Sequence, residues 1–413
     1  MNILYICPDY GIPVLGRKGA SVHVRQMIAA FSRAGHRVQL ISPVATKSPW
    51  DEAATIEGEF IHLPLSDSSL NNVHNLNAFA NAVDTKTVLT SDLRRMLYDR
   101  QLSSQLLRRY TKTPPDIIYT RASLYSVAAL DLAKATSKPL LVELNAPLTE
   151  EHANYRSGSN DDLAAAAERK LLRGADHVFV VSNALKEHAI NLGVKAENIS
   201  IAPNGIDPAI FFPAKADPEI ASRWGLGDGP VLGFVGGLRE WHGVEILPKL
   251  LQRVRQRFNR TKLAIIGSGP LQAKLENDLA ELGLRGEAIF TGALLHHDVA
   301  GLLRHFNIAL APYPELNHNF YFSPLKLFEY MACGIPVVAA KLGQIVDVVD
   351  HGTTGLLYQP GNLDALTSHC NQLLDNPKQA QSIGLAGANH VHGKFTWDNN
   401  ARQVFNSIRG STL

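Results

Sequence analysis

Apolar residues along the chain alternate between short continuous runs and stretches where they recur every three or four positions. In the first half the short runs lie near residues 2–6, 37–42, 60–64, 116–120, 139–144, 177–182 and 199–202. In the second half they lie near 231–236, 262–266, 287–291, 307–311, 335–340 and 355–358. Each predicts a strand, and the intervening periodic stretches predict helices. Strand and helix alternating in this way imply an α/β fold with parallel sheets. Runs such as Val178-Phe179-Val180-Val181 are apolar at every position. A strand covered by helices on both faces has that composition.

The first helix is marked by Val24, Met27, Ile28 and Phe31, and Gly35 ends it. Residues 66–90 read differently. They hold Asn71, Asn72, Asn75, Asn77 and Asn81, which predicts an inserted loop with short helical pieces. The turn Pro203-Asn204-Gly205-Ile206-Asp207-Pro208 falls near the middle and predicts a linker. The expected domains are therefore 1–205 and 206–395. A last helix over 396–413, with Trp397, Val404, Phe405 and Ile408, is expected to pack back on the first domain.

The 413 residues are too many for one core, which agrees with two domains. The formal charge of +2 excludes a global field for nucleic acid. Cys7, Cys333 and Cys370 are too few and too scattered for a zinc knuckle or a disulfide framework, and no metal site is predicted. Met1 to Ile6 reads as a strand, not a signal peptide. No apolar run approaches the roughly 20 residues that span a bilayer. A cytoplasmic protein is expected, at most resting on a membrane. The stretch Leu93, Leu97, Leu102, Leu106, Tyr110 interleaves with Arg94, Arg95, Arg100, Arg108 and Arg109. It is either a basic helix lying on anionic lipid or a core-packed helix with a solvated arginine face.

Candidate chemistry concentrates in the second half. Phe320 to Gly334 contains Ser323 as a helix N-cap, Pro324 at the first helical position and Lys326 in the first turn. A lysine at the positive end of a helix is opposed by the dipole unless solvent or an anion offsets it. Glu329 follows one turn later, where a carboxylate can take both hydroxyls of a ribose. The alternative is a surface helix with an ordinary Lys–Glu pair. In Gly233 to Gly243, a buried strand ends in Gly236 and Gly237, and Arg239 offers a fork for phosphate oxygens. The alternative there is a tight turn with a solvated arginine. Gly267-Ser268-Gly269 imitates a dinucleotide fingerprint but has Gln272 where the third glycine belongs. A dehydrogenase is therefore disfavoured. Gly11, Gly16 and Gly19 form a glycine-bearing loop before the first helix.

Together these segments resemble the retaining glycosyltransferases of the family-4, glycogen synthase-like (GT-B) type. The resemblance runs over Gly11–His23, Ala175–Ser182, Pro203–Asp207, Phe234–Gly243 and Glu329–Val338. It implies two Rossmann-like domains facing across a cleft, a nucleoside-diphosphate sugar as donor, a sugar, lipid-linked or small-molecule acceptor, and no cofactor or metal. It implies Arg239, Lys326 and Glu329 as the catalytic set. Donor contacts are expected from Gly16, Gly19, Gly236, Gly237, Gly267, Leu294 and Ser323 as well. The acceptor side is expected to hold Arg121, Glu143, Asn145 and Glu150. Three departures stand out. Tyr321 replaces a carboxylate usual in the family. His242 and Gly237 stand where a lysine and an arginine are usual. Asn145 takes the place of a frequent histidine. The first of these leaves a second reading, a nucleotide-sugar-binding subunit without transfer.

Overall fold

In the computed structural model, residues 1–46, 54–85, 89–156 and 161–409 are described. They form two compact units: Met1–Pro203 with Asp398 onward, and Asn204–Trp397.

Unit 1 is built on a seven-stranded parallel sheet. Its strands are β1 (Asn2–Ile6), β2 (Arg37–Ser42), β3 (Glu59–His62), β4 (Ile117–Arg121), β5 (Leu140–Leu144), β6 (His177–Val180) and β7 (Ile199–Ile201), in spatial order β3-β2-β1-β4-β5-β6-β7. The order reverses between β1 and β4. In open parallel sheets the crevice at such a switch point, at the C-terminal ends of the strands, is where ligands bind. The loops after β1 and β4 flank it. Tyr5, Phe31 and Tyr119 pack at the sheet's centre, with ring centroids 5.0 and 5.3 Å from Tyr119. The terminal helix Trp397–Arg409 joins this core through Phe405, 5.5 Å from Phe31, and through Asp398 on Arg33 at 2.7 Å.

The asparagine-rich stretch is not a loop. Asp67–Ala82 is a helix, and Ser66 caps it by accepting from the Ser69 amide. Val73 and Ala80, two turns apart, are its buried residues, and the helix lies against Leu89–Tyr110. One narrow apolar stripe suffices for a helix supported by a neighbour, and asparagine's poor propensity hides it. Residues 86–88 of the predicted loop lie outside the described residues. In the helix Leu89–Tyr110, Tyr98, Leu102, Leu106 and Tyr110 are buried in the unit. Arg95 pairs with Asp92, and Arg100 with Asp99 and Asp131. Leu102, Leu106 and Tyr110 of the stripe are thus core, while Leu93 and Leu97 are half-buried.

Unit 2 carries a six-stranded parallel sheet: β8 (Val231–Val235), β9 (Lys262–Ile266), β10 (Ala288–Gly292), β11 (Ile308–Ala311), β12 (Val337–Ala340) and β13 (Leu356–Tyr358), ordered β10-β9-β8-β11-β12-β13. Its switch point lies between β8 and β11. The loops there, 236–243 and 312–324, are locked together at Gly243. This residue has φ +66°, and a Cβ would fall 1.8 Å from the Pro312 carbonyl oxygen. We expect Gly243→Ala to cost roughly 2–4 kcal/mol through clash and strain. Urea denaturation measures it, and a change below 0.5 kcal/mol, the usual range of surface substitutions, would contradict this account.

Candidate active site

The helix Leu325–Ala332 is buried from Lys326 through Ala332. Tyr330 anchors it: its hydroxyl accepts from the Val235 amide at 2.6 Å, tying the helix to the end of β8. One turn earlier, this places Lys326 against the first glycine after the strand. Gly236 has φ +143°, and a Cβ there would meet Lys326 Nζ at 2.6 Å. The ammonium lies 4.1 Å from the Phe234 ring centroid and 5.3 Å from that of Tyr313. It finds no hydrogen-bond partner among the described residues. Burial pushes it down to about 7, against the opposing pull of Glu329.

Glu329 does not form an ion pair with Lys326 among the described residues. Its Oε1 accepts from His296 Nε2 at 2.7 Å, and the His296 ring packs on Phe211 at 4.8 Å. The surface-helix alternative is excluded, because both Lys326 and Glu329 are buried. Arg239 is exposed, with its guanidinium 5.1 Å from the Trp241 ring and no carboxylate partner among the described residues. The glycine loops stack on each other. Gly267, at φ +133°, leaves no room for a Cβ beside the Gly236 carbonyl, and its amide donates to Gly292 O at 2.9 Å. Leu294 is half-buried just beyond β10. Arg239, Lys326, Glu329, Gly236, Gly237, Gly267 and Leu294 all sit at the C-terminal edge of this sheet or on the helix beneath it.

Ser323 differs from expectation. Pro324 takes the N-cap position, and no side chain caps the helix. The Ser323 hydroxyl instead accepts from the Asn204 amide at 2.8 Å, and its carbonyl accepts from Asn204 Nδ2 at 2.5 Å. It fastens the start of unit 2 to the lysine helix.

In unit 1, Glu143 is the centre of a buried cluster. Its Oε2 accepts from His23 Nε2 at 3.0 Å and from Tyr119 at 2.9 Å. Its Oε1 accepts from Arg121 Nη1 at 2.7 Å and from Asn145 Nδ2 at 3.3 Å. Burial would raise this carboxyl, but His23, Arg121 and Tyr119 outweigh it and hold it well below the usual carboxylate range. A carboxylate so saturated orients its neighbours; it is not poised to take a proton. Glu143, Arg121 and Asn145 therefore come together, but Glu150 does not join them. It is exposed, with Oε1 3.3 Å from His188 Nδ1, while His188 Nε2 meets buried Glu168 at 2.9 Å.

The glycine loop after β1 is also clasped from within. Arg25 Nη1 donates to the carbonyls of Val14 and Gly16 at 2.6 and 2.7 Å. Gly16 is buried against Pro13, so its bare Cα serves loop packing; Gly19 is exposed at the helix start. His23, Tyr119 and His296 are not singled out as site residues by the sequence because each works through a partner distant along the chain, whereas Arg25 holds carbonyls only nine and eleven positions away.

With this geometry in place, comparison with known proteins fixes the class: two parallel-sheet α/β units of the GT-B glycosyltransferase fold. The structure matches sucrose-phosphate synthase from Thermosynechococcus elongatus with a TM-score of 0.74, at 20% identity and 99% coverage of both chains. It matches the UDP complex of Anabaena HepE at 0.71, with 19% identity, covering 99% of this chain and all of that one. The family described as Glycosyltransferase Family 4 matches residues 17–210, and that described as Glycosyl transferases group 1 matches 229–376. The two models together match most of the chain, which is a glycosyltransferase of the GT-B type. Glycogen synthase from Mycobacterium tuberculosis is 26% identical over 96% of this chain and 92% of its own length. A GDP-mannose-dependent phosphatidylinositol monomannoside mannosyltransferase from Mycolicibacterium smegmatis is 26% identical over 60% of this chain and 66% of its own.

Two outcomes are expected. Lys326→Met should stabilise the unliganded protein at pH 6 by roughly 1–3 kcal/mol, because an unsatisfied buried amine is removed. The sign with pH follows from the depressed amine. Between about pH 7 and the ordinary lysine range the unfolded chain keeps a proton that the fold does not, so wild-type stability rises there. The variant should lack that component, so its advantage over wild type should shrink by pH 9. Paired urea titrations at both pH values check it. Glu143→Ala should cost roughly 3–5 kcal/mol, leaving buried Arg121 without its partner. Thermal and urea unfolding would show otherwise if the loss were below 1 kcal/mol, the upper value for exposed ion pairs.

Proposed function

We propose that the protein transfers a sugar from a nucleoside-diphosphate sugar to an acceptor hydroxyl, with retention of anomeric configuration and without a metal ion or other cofactor. The observation that carries this reading is the buried Lys326 amine beneath Gly236 at the sheet's switch point, without a hydrogen-bond partner among the described residues. An anion seated against it would offset its desolvation, and Arg239 extends into solvent nearby in sequence to meet the same group. Glu329, fixed by His296, keeps Oε2 for the ribose hydroxyls. The bare Cα of Gly236 admits the Lys326 amine, and that of Gly237 lets the diphosphate and sugar approach. The relatives named above support UDP or GDP as the nucleotide.

In this mechanism the chain supplies no covalent nucleophile. Positioning of the donor and stabilisation of the leaving diphosphate provide the acceleration. The acceptor hydroxyl attacks on the face from which the diphosphate leaves, and a diphosphate oxygen takes its proton. The Glu143 cluster shapes the acceptor side through Arg121 and Asn145, with Glu150 on the neighbouring helix. The acceptor class is a sugar, lipid-linked or small-molecule alcohol, in glycan, glycolipid or polysaccharide synthesis. No described helix is long and apolar enough to cross a membrane, and we place the reaction in the cytoplasm, at most at the inner membrane face. A second reading, a binding subunit without transfer, rests on buried Tyr321 in place of a carboxylate.

Thermal unfolding against UDP, GDP, ADP, TDP and NADH, with and without EDTA, tests the donor site. A ligand at 100 times its Kd adds about 2.7 kcal/mol of stability. One nucleoside diphosphate should shift the melt equally with EDTA present; a shift with NADH alone would revive the dehydrogenase. Once an acceptor is found, Lys326→Ala and Glu329→Ala should each lower kcat/KM by roughly a hundredfold or more. Proton NMR of the first product should show the donor's anomeric configuration. An inverted product would end the retaining mechanism, and saturable donor binding without turnover on any acceptor would favour the binding subunit.

A further inference from the structure

His242 closes the short turn Glu240–His242 that follows the glycines of the β8 loop. Its Nδ1 lies 2.5 Å from the Gly237 carbonyl oxygen. A carbonyl has no proton to give, so Nδ1 carries the proton and donates. The other ring nitrogen, Nε2, then presents a lone pair. It has no partner among the described residues, and it is not one of the fully buried unpaired atoms, so on this half-buried ring it is not sealed off. The ring is held by aromatic neighbours, with centroids 5.7 Å from Tyr313, 6.2 Å from Trp241 and 6.3 Å from Phe234. Phe234 and Tyr313 are also the rings beneath the Lys326 ammonium. Imidazole and ammonium thus share one aromatic floor. Burial, then Lys326 and Arg239, oppose a second proton and push the imidazole down to about 3, against the Gly237 bond.

A neutral Nε2 cannot donate to a phosphate oxygen, and its lone pair repels one. It can accept from a hydroxyl. The donor substrate offers hydroxyls on its ribose, which Glu329 takes in the proposed function, and on the sugar to be transferred. We propose that His242 Nε2 accepts a hydrogen bond from a hydroxyl of the transferred sugar, making His242 a specificity-determining residue and not a ligand of the diphosphate. This rests on the glycosyltransferase reading above. It also explains how a chain with Tyr321 in place of a carboxylate retains a side-chain acceptor for the sugar: the acceptor comes from the other loop at the switch point.

Calorimetric titration of wild type, His242→Ala, His242→Gln and His242→Lys tests it. The probes are UDP and GDP, and the tightest-binding of UDP-glucose, UDP-galactose, UDP-N-acetylglucosamine and GDP-mannose. His242→Ala should weaken the sugar nucleotide about fivefold to thirtyfold, the effect of one hydrogen bond between uncharged groups, and leave its nucleoside diphosphate within about twofold. His242→Gln should restore part of the loss, since its amide oxygen accepts; His242→Lys, a donor only, should not. Equal weakening of both ligands in His242→Ala, or tighter binding of both by His242→Lys, would make His242 a phosphate-side residue and overturn the proposal. Wild-type protein that binds no nucleotide fails the glycosyltransferase reading itself, and this inference with it. Nitrogen-15 NMR of histidine-labelled wild type needs no variant. Nε2 should be unprotonated in the free protein and shift with the sugar nucleotide but not with its diphosphate. A protonated Nε2, or equal shifts with both, would refute the assignment.

Discussion

The second unit is organised around a buried lysine with no ion-pair partner among the described residues. Lys326 is carried into the interior by a helix whose every residue from Lys326 to Ala332 is buried. The one nearby carboxylate on that helix, Glu329, is engaged by His296. Phe234 and Tyr313 offer only ring faces, which attract an ammonium weakly compared with the hydration it has lost. The remaining architecture accommodates this. Gly236 must lack a side chain because the amine occupies the space; Gly267 must lack one because the Gly236 carbonyl occupies its space. Tyr330 and Ser323 fix the helix at both ends of the problem, one to β8 and one to Asn204. A fold selected for stability alone would place a methionine at 326.

The first unit shows the opposite treatment of a buried charge. Glu143 accepts four hydrogen bonds from His23, Tyr119, Arg121 and Asn145: one donor from a helix, two from β4 and one from just past the end of β5. No valence is left for a ligand. Its contribution is to set the positions of Arg121 and Asn145 at the C-terminal ends of β4 and β5, where the parallel register puts Arg121 beside Glu143. Charge alone therefore does not mark a functional residue. A satisfied charge builds the scaffold, and an unsatisfied one, held in place at a cost, marks where a ligand of opposite sign belongs.

The architecture was legible in the sequence because strands covered on both faces must be apolar throughout. Each of the thirteen expected strands is present, with ends moved by a residue or two. The helix Asp67–Ala82 was hidden because tertiary support, Val73 and Ala80 against a neighbour, overrode poor propensity. At the site, glycine loops and the Ser-Pro-Leu-Lys-Leu-Phe-Glu segment announced themselves by local spacing. The pairings His296–Glu329 and His23–Glu143 join residues 33 and 120 positions apart, and nothing local encodes them. Ser323 illustrates the same limit. Its spacing suits an N-cap, yet its hydroxyl meets a backbone amide 119 residues away.

His242 shows how backbone geometry can decide side-chain chemistry. By residue type it suits a cation, a metal ligand or a general base equally. The Gly237 carbonyl removes the choice by claiming Nδ1–H, and burial, then Lys326 and Arg239, disfavour a second proton. What remains is one acceptor nitrogen on a rigid ring. The same loop thereby separates two tasks that a lysine at this position would merge. In the proposed reading Arg239 and Lys326 carry the positive charge that a diphosphate requires, and the imidazole contributes none. Removing charge from position 242 lowers the repulsion around Lys326, whose amine is already costly to protonate. A second lysine over the same aromatic floor would depress it further, and a neutral histidine there spares Lys326 that repulsion.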